Sequence, residues 1–109
     1  MHATLIVIYT DRLDECADFY ANLGLPLQSE QHGNGPEHHA AELGSMVFEL
    51  YQATERRPAT GSLRVGFRLP EHVGALELPP GRHRLTDPDG RTVDLEIVAE
   101  ASMDEPRTS

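Results

Sequence analysis

Hydrophobic and polar residues alternate along several short stretches of this chain. Leu5-Ile6-Val7-Ile8-Tyr9 is rich in β-branched residues and predicts a strand, with Ile6 and Ile8 toward a helical layer and Leu5, Val7 and Tyr9 on the other face. Leu13, Cys16, Ala17, Tyr20 and Leu23 then recur at helical spacing. Thr10 or Asp11 is the expected cap, Asp14 adds negative charge to the first turn, and Gly24 with Pro26 ends the helix. Period two returns over Leu27–Gln31, and over His39–Leu43 and Met46–Tyr51, which read as a hairpin about Gly44-Ser45. Phe48 and Leu50 face one way in that hairpin, Glu49 and Tyr51 the other. A Gly33-Asn34-Gly35-Pro36 loop precedes it.

After a polar connector over 53–62, Leu63, Val65, Phe67 and Leu69 alternate with Arg64, Gly66 and Arg68. Asp87-Pro88-Asp89-Gly90 is a tight reversal, because Pro88 presets φ, Asp89 bonds its own backbone and Gly90 accepts positive φ. Beyond it Val93, Leu95 and Ile97 alternate with Thr92, Asp94 and Glu96. Two hairpins that each present a carboxylate from mid-strand suggest an internal duplication. Only 71–75 is available for a helix in the second half, and Gly74 with Pro79-Pro80 prevents a stable one.

These pieces resemble the vicinal oxygen chelate superfamily of glyoxalases, bleomycin resistance proteins and extradiol dioxygenases. The resemblance rests on Leu5 to Asp11, Asp18-Phe19-Tyr20, Leu23-Gly24-Leu25 and Leu27 at one end, and on Asp87 to Gly90 with Val93-Asp94-Leu95 at the other. It implies an α+β fold of paired βαβββ modules that form a curved mixed sheet with a concave cleft. The first module spans about 3–52 and the second about 62–98, the second lacking most of its helix. One domain over 1–98 and a polar, disordered tail over 99–109 are expected.

Metal-dependent members ligate a divalent ion from the first and fourth strand of each module. Carried over, those positions are Leu5, Glu49, Arg64 and Asp94. Leucine offers no ligand atom and arginine stays protonated, so half the set fails. No metal or other cofactor is therefore expected, with one divalent ion on Glu49 and Asp94 as the alternative. The four residues instead suggest an ion-pair cluster, Arg64 between Glu49 and Asp94 with Arg68 and Glu96 nearby. Such a cluster either neutralises itself in a partly buried cleft or orients a polar ligand.

Leu5, Val7, Tyr9, Val47, Tyr51 and Thr92 share the concave face with Glu49, Arg64, Arg68 and Asp94. Apolar walls, two phenols and a few charges describe a small-molecule pocket. Of the adjacent His38 and His39 only one can enter the cleft, and His83 is placed to line it. No catalytic residue is identified, and Cys16 on the helix stripe reads as core.

The net charge of −9 disfavours nucleic acid and anionic membrane surfaces. A single cysteine fits a reducing cytoplasm, and no apolar run approaches the roughly 20 residues of a membrane span. The apolar face built from Leu63, Val65, Phe67, Leu69, Val93, Leu95 and Ile97 lacks a helix of its own. It is expected to be buried in a homodimer or under the tail. The favoured reading is a metal-independent small-molecule-binding dimer of the drug-sequestering, resistance type. The rival is a metal-dependent lyase or dioxygenase with non-standard ligands.

Overall fold

The computed structural model describes residues 1–99. The expected tail lies outside the described residues except for Ala99. Seven strands and one helix follow in the order β1 (Leu5–Thr10), α1 (Leu13–Leu23), β2 (Gln28–Glu30), β3 (His38–Leu43), β4 (Met46–Gln52), β5 (Arg64–Pro70), β6 (Gly81–Thr86) and β7 (Thr92–Val98). The sheet is split in two, a four-stranded β1-β4-β3-β2 and a three-stranded β5-β7-β6. In the first, β1 runs parallel to β4 with Val7 opposite Glu49, and β3 is antiparallel to β4. In the second, β5 runs parallel to β7 with Gly66 opposite Asp94, and β6 is antiparallel to β7. The repeated pairing is the duplication read from the hairpins. Among the described residues the second module lacks both its helix and a counterpart of β2. No described helix is long and apolar enough to cross a membrane.

Arg12 is the N-cap of helix α1 and makes no side-chain capping bond. The expected cap, Thr10, instead turns its Oγ1 to accept the Arg12 N–H at 3.0 Å. Asp14 does lie in the first turn, and Gly24 closes the helix at φ 116°, a conformation costly for any residue with a Cβ.

The segment standing where a second helix was lost is a turn docked on the end of α1. Ala75 N–H donates to Asn22 O at 2.7 Å. The approach is close enough that a Cβ on Gly74 would lie 2.4 Å from Asn22 O and 2.5 Å from the Leu23 carbonyl carbon. Gly74 is therefore both why no helix forms here and what lets the turn seat.

Both sheets turn their apolar faces onto one core. Tyr20 of α1, Phe48 of β4 and Phe67 of β5 meet in an aromatic cluster with ring centroids 5.1–6.2 Å apart. Ile8, Leu50, Val93 and Leu95 are all buried around it. This corrects the expectation that the second module's apolar face needs a dimer or the tail. Val93, Leu95 and Ile97 are at most 7 % exposed within a single chain, and Leu63, Val65, Phe67 and Leu69 pack partly buried against the same core. Helix α1 serves both sheets.

Candidate functional site

Alternation sends one side of each strand to that core and the other away from it. The β1–β4 register puts Leu5 beside Val47, Val7 beside Glu49 and Tyr9 beside Tyr51 on the outward face of the first sheet. Ala40 and His38 extend that face on β3, opposite Glu49 and Tyr51, and Gln28 and Glu30 extend it on β2. The rings of Tyr9 and Tyr51 lie 5.8 Å apart, and His38 stacks flat on Tyr51 at 4.3 Å. Beside them a hollow of about 530 Å³ is lined by Glu30, Glu42, Glu49, Val47, Ala40, Gln28 and Pro26. Burial, then the neighbouring Glu49 charge, pushes the Tyr51 phenol up, so it stays a neutral donor.

The outward face of the second sheet has the opposite character. Arg64, Gly66 and Arg68 of β5 pair with Thr92, Asp94 and Glu96 of β7, which pair in turn with Thr86, Arg84 and Arg82 of β6. Asp94 accepts from Arg64 Nε at 2.6 Å and from Arg84 Nε at 2.9 Å, and Glu96 accepts from Arg68 Nε at 3.1 Å. The Arg84 and Arg64 guanidinium groups hold the Asp94 carboxyl below the usual carboxylate range. The charged residues of this face and Gly66 line a hollow of about 570 Å³, of which Thr86 and Thr92 are not part. His83 lines its edge, but its register partner is Leu95 and its Nε2–H donates to Pro79 O at 2.7 Å.

The ten expected ligand-binding residues thus divide by sheet. Leu5, Val7, Tyr9, Val47, Glu49 and Tyr51 lie on the first, and Arg64, Arg68, Thr92 and Asp94 on the second. The expected cluster with Arg64 between Glu49 and Asp94 is not formed within the chain. Arg84 takes the place given to Glu49 because strand register sets it opposite Asp94, and Glu49 lies instead 3.7 Å from His38 Nε2. Nor is the cluster enclosed, since the arginine side chains of Arg64 and Arg84 are 65 % and 62 % exposed. Of the histidine pair, His38 is buried on the outward face, and His39 pairs with Leu50 on the other. Arg82 and Arg84 were not singled out from the sequence, though they alternate with His83 and Leu85 before the Asp87 turn.

A second polar group was hidden in that turn. Asp87 Oδ2 accepts from Tyr20 Oη at 2.7 Å and from Arg91 Nη1 at 3.1 Å, and Asp87 Oδ1 takes the backbone N–H groups of Asp89 and Arg91. Asp89 Oδ2 accepts from Thr10 Oγ1 and Arg91 Nη2, both at 2.8 Å, and Arg91 Nη2 also reaches Tyr9 O at 2.7 Å. This network joins the last turn to β1 and α1. It is structural rather than a site, since Asp87 and Arg91 are sealed from solvent. Cys16 is fully buried beside Thr10, and burial pushes its thiol up, as befits a core residue.

No family model and no curated protein matches the chain by sequence. Solved structures do match. TnmS3, an antibiotic binding protein from Streptomyces sp. CB03234, superposes with a TM-score of 0.58 at 21% identity over 90% of this chain and 96% of that one. A lactoylglutathione lyase from Agrobacterium tumefaciens gives 0.57 at 17% identity over 88% and 92%. A glyoxalase/bleomycin resistance protein from Albidiferax ferrireducens T118 gives 0.60 at 18% identity over 86% and 96%. The chain has the fold of the vicinal oxygen chelate superfamily, the fold of glyoxalase and bleomycin resistance proteins.

Proposed function

We propose that this protein binds a small organic molecule, without catalysis, in a cleft that two copies of the chain build together. The observation that carries this reading is the division of the ten residues over two faces that both point away from the chain's own core. A pocket using both sets requires the first sheet of one copy to face the second sheet of another. The charges favour that pairing. Glu30, Glu42 and Glu49 stand on the first face, and Arg64, Arg68, Arg82 and Arg84 outnumber Asp94 and Glu96 on the second. A two-fold axis would make two such clefts at once. Tyr9 and Tyr51 suit the flat face of an aromatic ligand, and the arginines suit its polar or anionic end.

Structural likeness to an antibiotic binding protein is consistent with a sequestering, resistance-type role in the cytoplasm. The lyase or dioxygenase alternative has less support. Glu49 and Asp94 would approach only across the interface, with Asp94 already held by two arginines, and Leu5 and Arg64 supply no ligand atoms. A carboxylate held below its ordinary pKa is also a poor general base at neutral pH.

Light scattering across the micromolar range tests the assembly, and thermal shift against a panel of small aromatic molecules, with anionic and cationic members, tests the binding. A dimer stabilised by members of the panel is expected, with Glu49→Gln or Arg64→Ala weakening the shift. A monomer at tens of micromolar would overturn the shared cleft.

A further inference from the structure

Glu30, His32 and His38 bring three ligand atoms within 4.8 Å of one another at the end of the β2–β3 hairpin. Glu30 and His38 are direct cross-strand partners, and His32 reaches back from the loop between them. His38 carries the argument. Its side chain is 1 % exposed, yet its Nε2 has no hydrogen-bond partner. Buried polar atoms are seldom left so.

Its Nδ1 lies 3.3 Å from Pro36 O, and a carbonyl can only accept, so Nδ1–H is the donor there and Nε2 is the ring nitrogen turned to the cluster. Stacking on Tyr51 fixes the ring plane. What Nε2 faces is carboxylate, Glu30 Oε1 at 3.4 Å and Glu49 Oε2 at 3.7 Å, while His32 Nε2 lies 3.3 Å from the same Glu30 oxygen. These separations are long for hydrogen bonds to a carboxylate. The two Glu30 separations, 3.3 and 3.4 Å, are close to the edge of a ligand tetrahedron, since ligand atoms about 2.1 Å from a zinc ion lie about 3.4 Å apart.

We propose that Glu30, His32 and His38 form a Zn²⁺ site. Two imidazoles and one carboxylate are borderline ligands suited to zinc, and three protein ligands leave the fourth position open. Glu49 Oε2 lies 3.7 Å from His38 Nε2. The Pro36 carbonyl supplies the outer-shell bond that orients a ligating imidazole, and His32, 76 % exposed, leaves the site open to entry from solvent. Bound zinc would pin the 31–37 loop to the sheet and place a Lewis acid at the rim of the acidic hollow. The site goes beyond the binding reading above, which needs no metal, and none of its three ligands is among the four positions the resemblance carries over.

The experiment is titration of untagged, metal-stripped protein with Zn²⁺ against a chromophoric chelator, with Co²⁺ as spectroscopic substitute. One equivalent per chain, tetrahedral Co²⁺ absorption in the visible and a raised Tm are expected. His38→Gln and the exposed His32→Ala should each weaken binding at least about tenfold, with His39→Ala as an unaffected control. His32→Ala keeps the test valid if His38→Gln fails to fold. Absence of stoichiometric uptake, or uptake that His32→Ala and Glu30→Gln leave unchanged, would overturn the site.

Discussion

Replacing Arg91 with methionine should be among the most damaging single changes available to this chain. The guanidinium is 1 % exposed and bonds Asp87, itself 0 % exposed, together with Asp89 and the Tyr9 carbonyl. Methionine fills similar space but leaves the Asp87 carboxylate buried with no cation and Asp89 with Thr10 alone. Removing one partner of a buried ion pair typically costs about 3–5 kcal/mol. Set against about 5–15 kcal/mol for a whole domain, that is a large share. At about 4 °C per kcal/mol for a domain of this length, Tm should fall by roughly 12–20 °C. Urea denaturation followed by circular dichroism reads the change directly, as a lower midpoint at constant slope. The double variant Arg91→Met with Asp87→Asn should recover part of the loss, because the stranded charge has gone. A loss below about 1 kcal/mol for Arg91→Met would show that water reaches the network, and would refute the claim that it fastens the last turn to β1 and α1.

Gly74→Ala should lower stability by about 1–3 kcal/mol, since its Cβ would meet Asn22 and Leu23 backbone at 2.4–2.5 Å; an unchanged Tm would mean the turn does not rest on α1. Arg64→Ala should leave the denaturant midpoint nearly where it was, because Arg84 still holds Asp94 and both arginines are exposed. The loss of ligand-induced shift from that variant is then separable from any loss of fold. Burial and the bond to Asp87 push the Tyr20 phenol far up. The unfolded chain therefore releases this proton near pH 10 while the folded chain keeps it, and stability should fall above pH 10 by about 1.4 kcal/mol per pH unit. Denaturant midpoints from pH 9 to 11 should show this slope in the wild type and a shallower one in Tyr20→Phe.

Most of the strand architecture could be read from alternation, because each strand has one face in a shared core and one outside it. The missing helix was equally legible from Gly74 and Pro79-Pro80. The helix start was not, since Thr10 has the chemistry of a cap but its hydroxyl also serves Asp89 from the far end of the chain. That contact spans 79 residues, and no local pattern encodes it. The same holds for cover of the second sheet. The sequence shows that Val93, Leu95 and Ile97 have no helix of their own, but not that α1 is placed to serve them. The faces of the candidate residues followed from alternation, and Arg64 binds Asp94 as read. The third member of that cluster is Arg84 rather than Glu49, which depends on register across two strands. Asp87 and Asp89 illustrate the opposite limit, since the features that make them turn formers conceal that their side chains point inward.

One helix between two sheets also bears on how this duplicated chain can be divided. Two complete modules, each with its own helix, could in principle be cut apart at the connector and fold as separate pieces. Here the second module has no private interior, because Val93, Leu95 and Phe67 find their cover on Tyr20 and Phe48 of the first. A peptide spanning 62–98 would expose that whole face and stay unfolded or aggregate, and the first half alone would leave α1 half uncovered. Losing the second helix therefore turned two repeats into one cooperative unit, which should melt in a single transition.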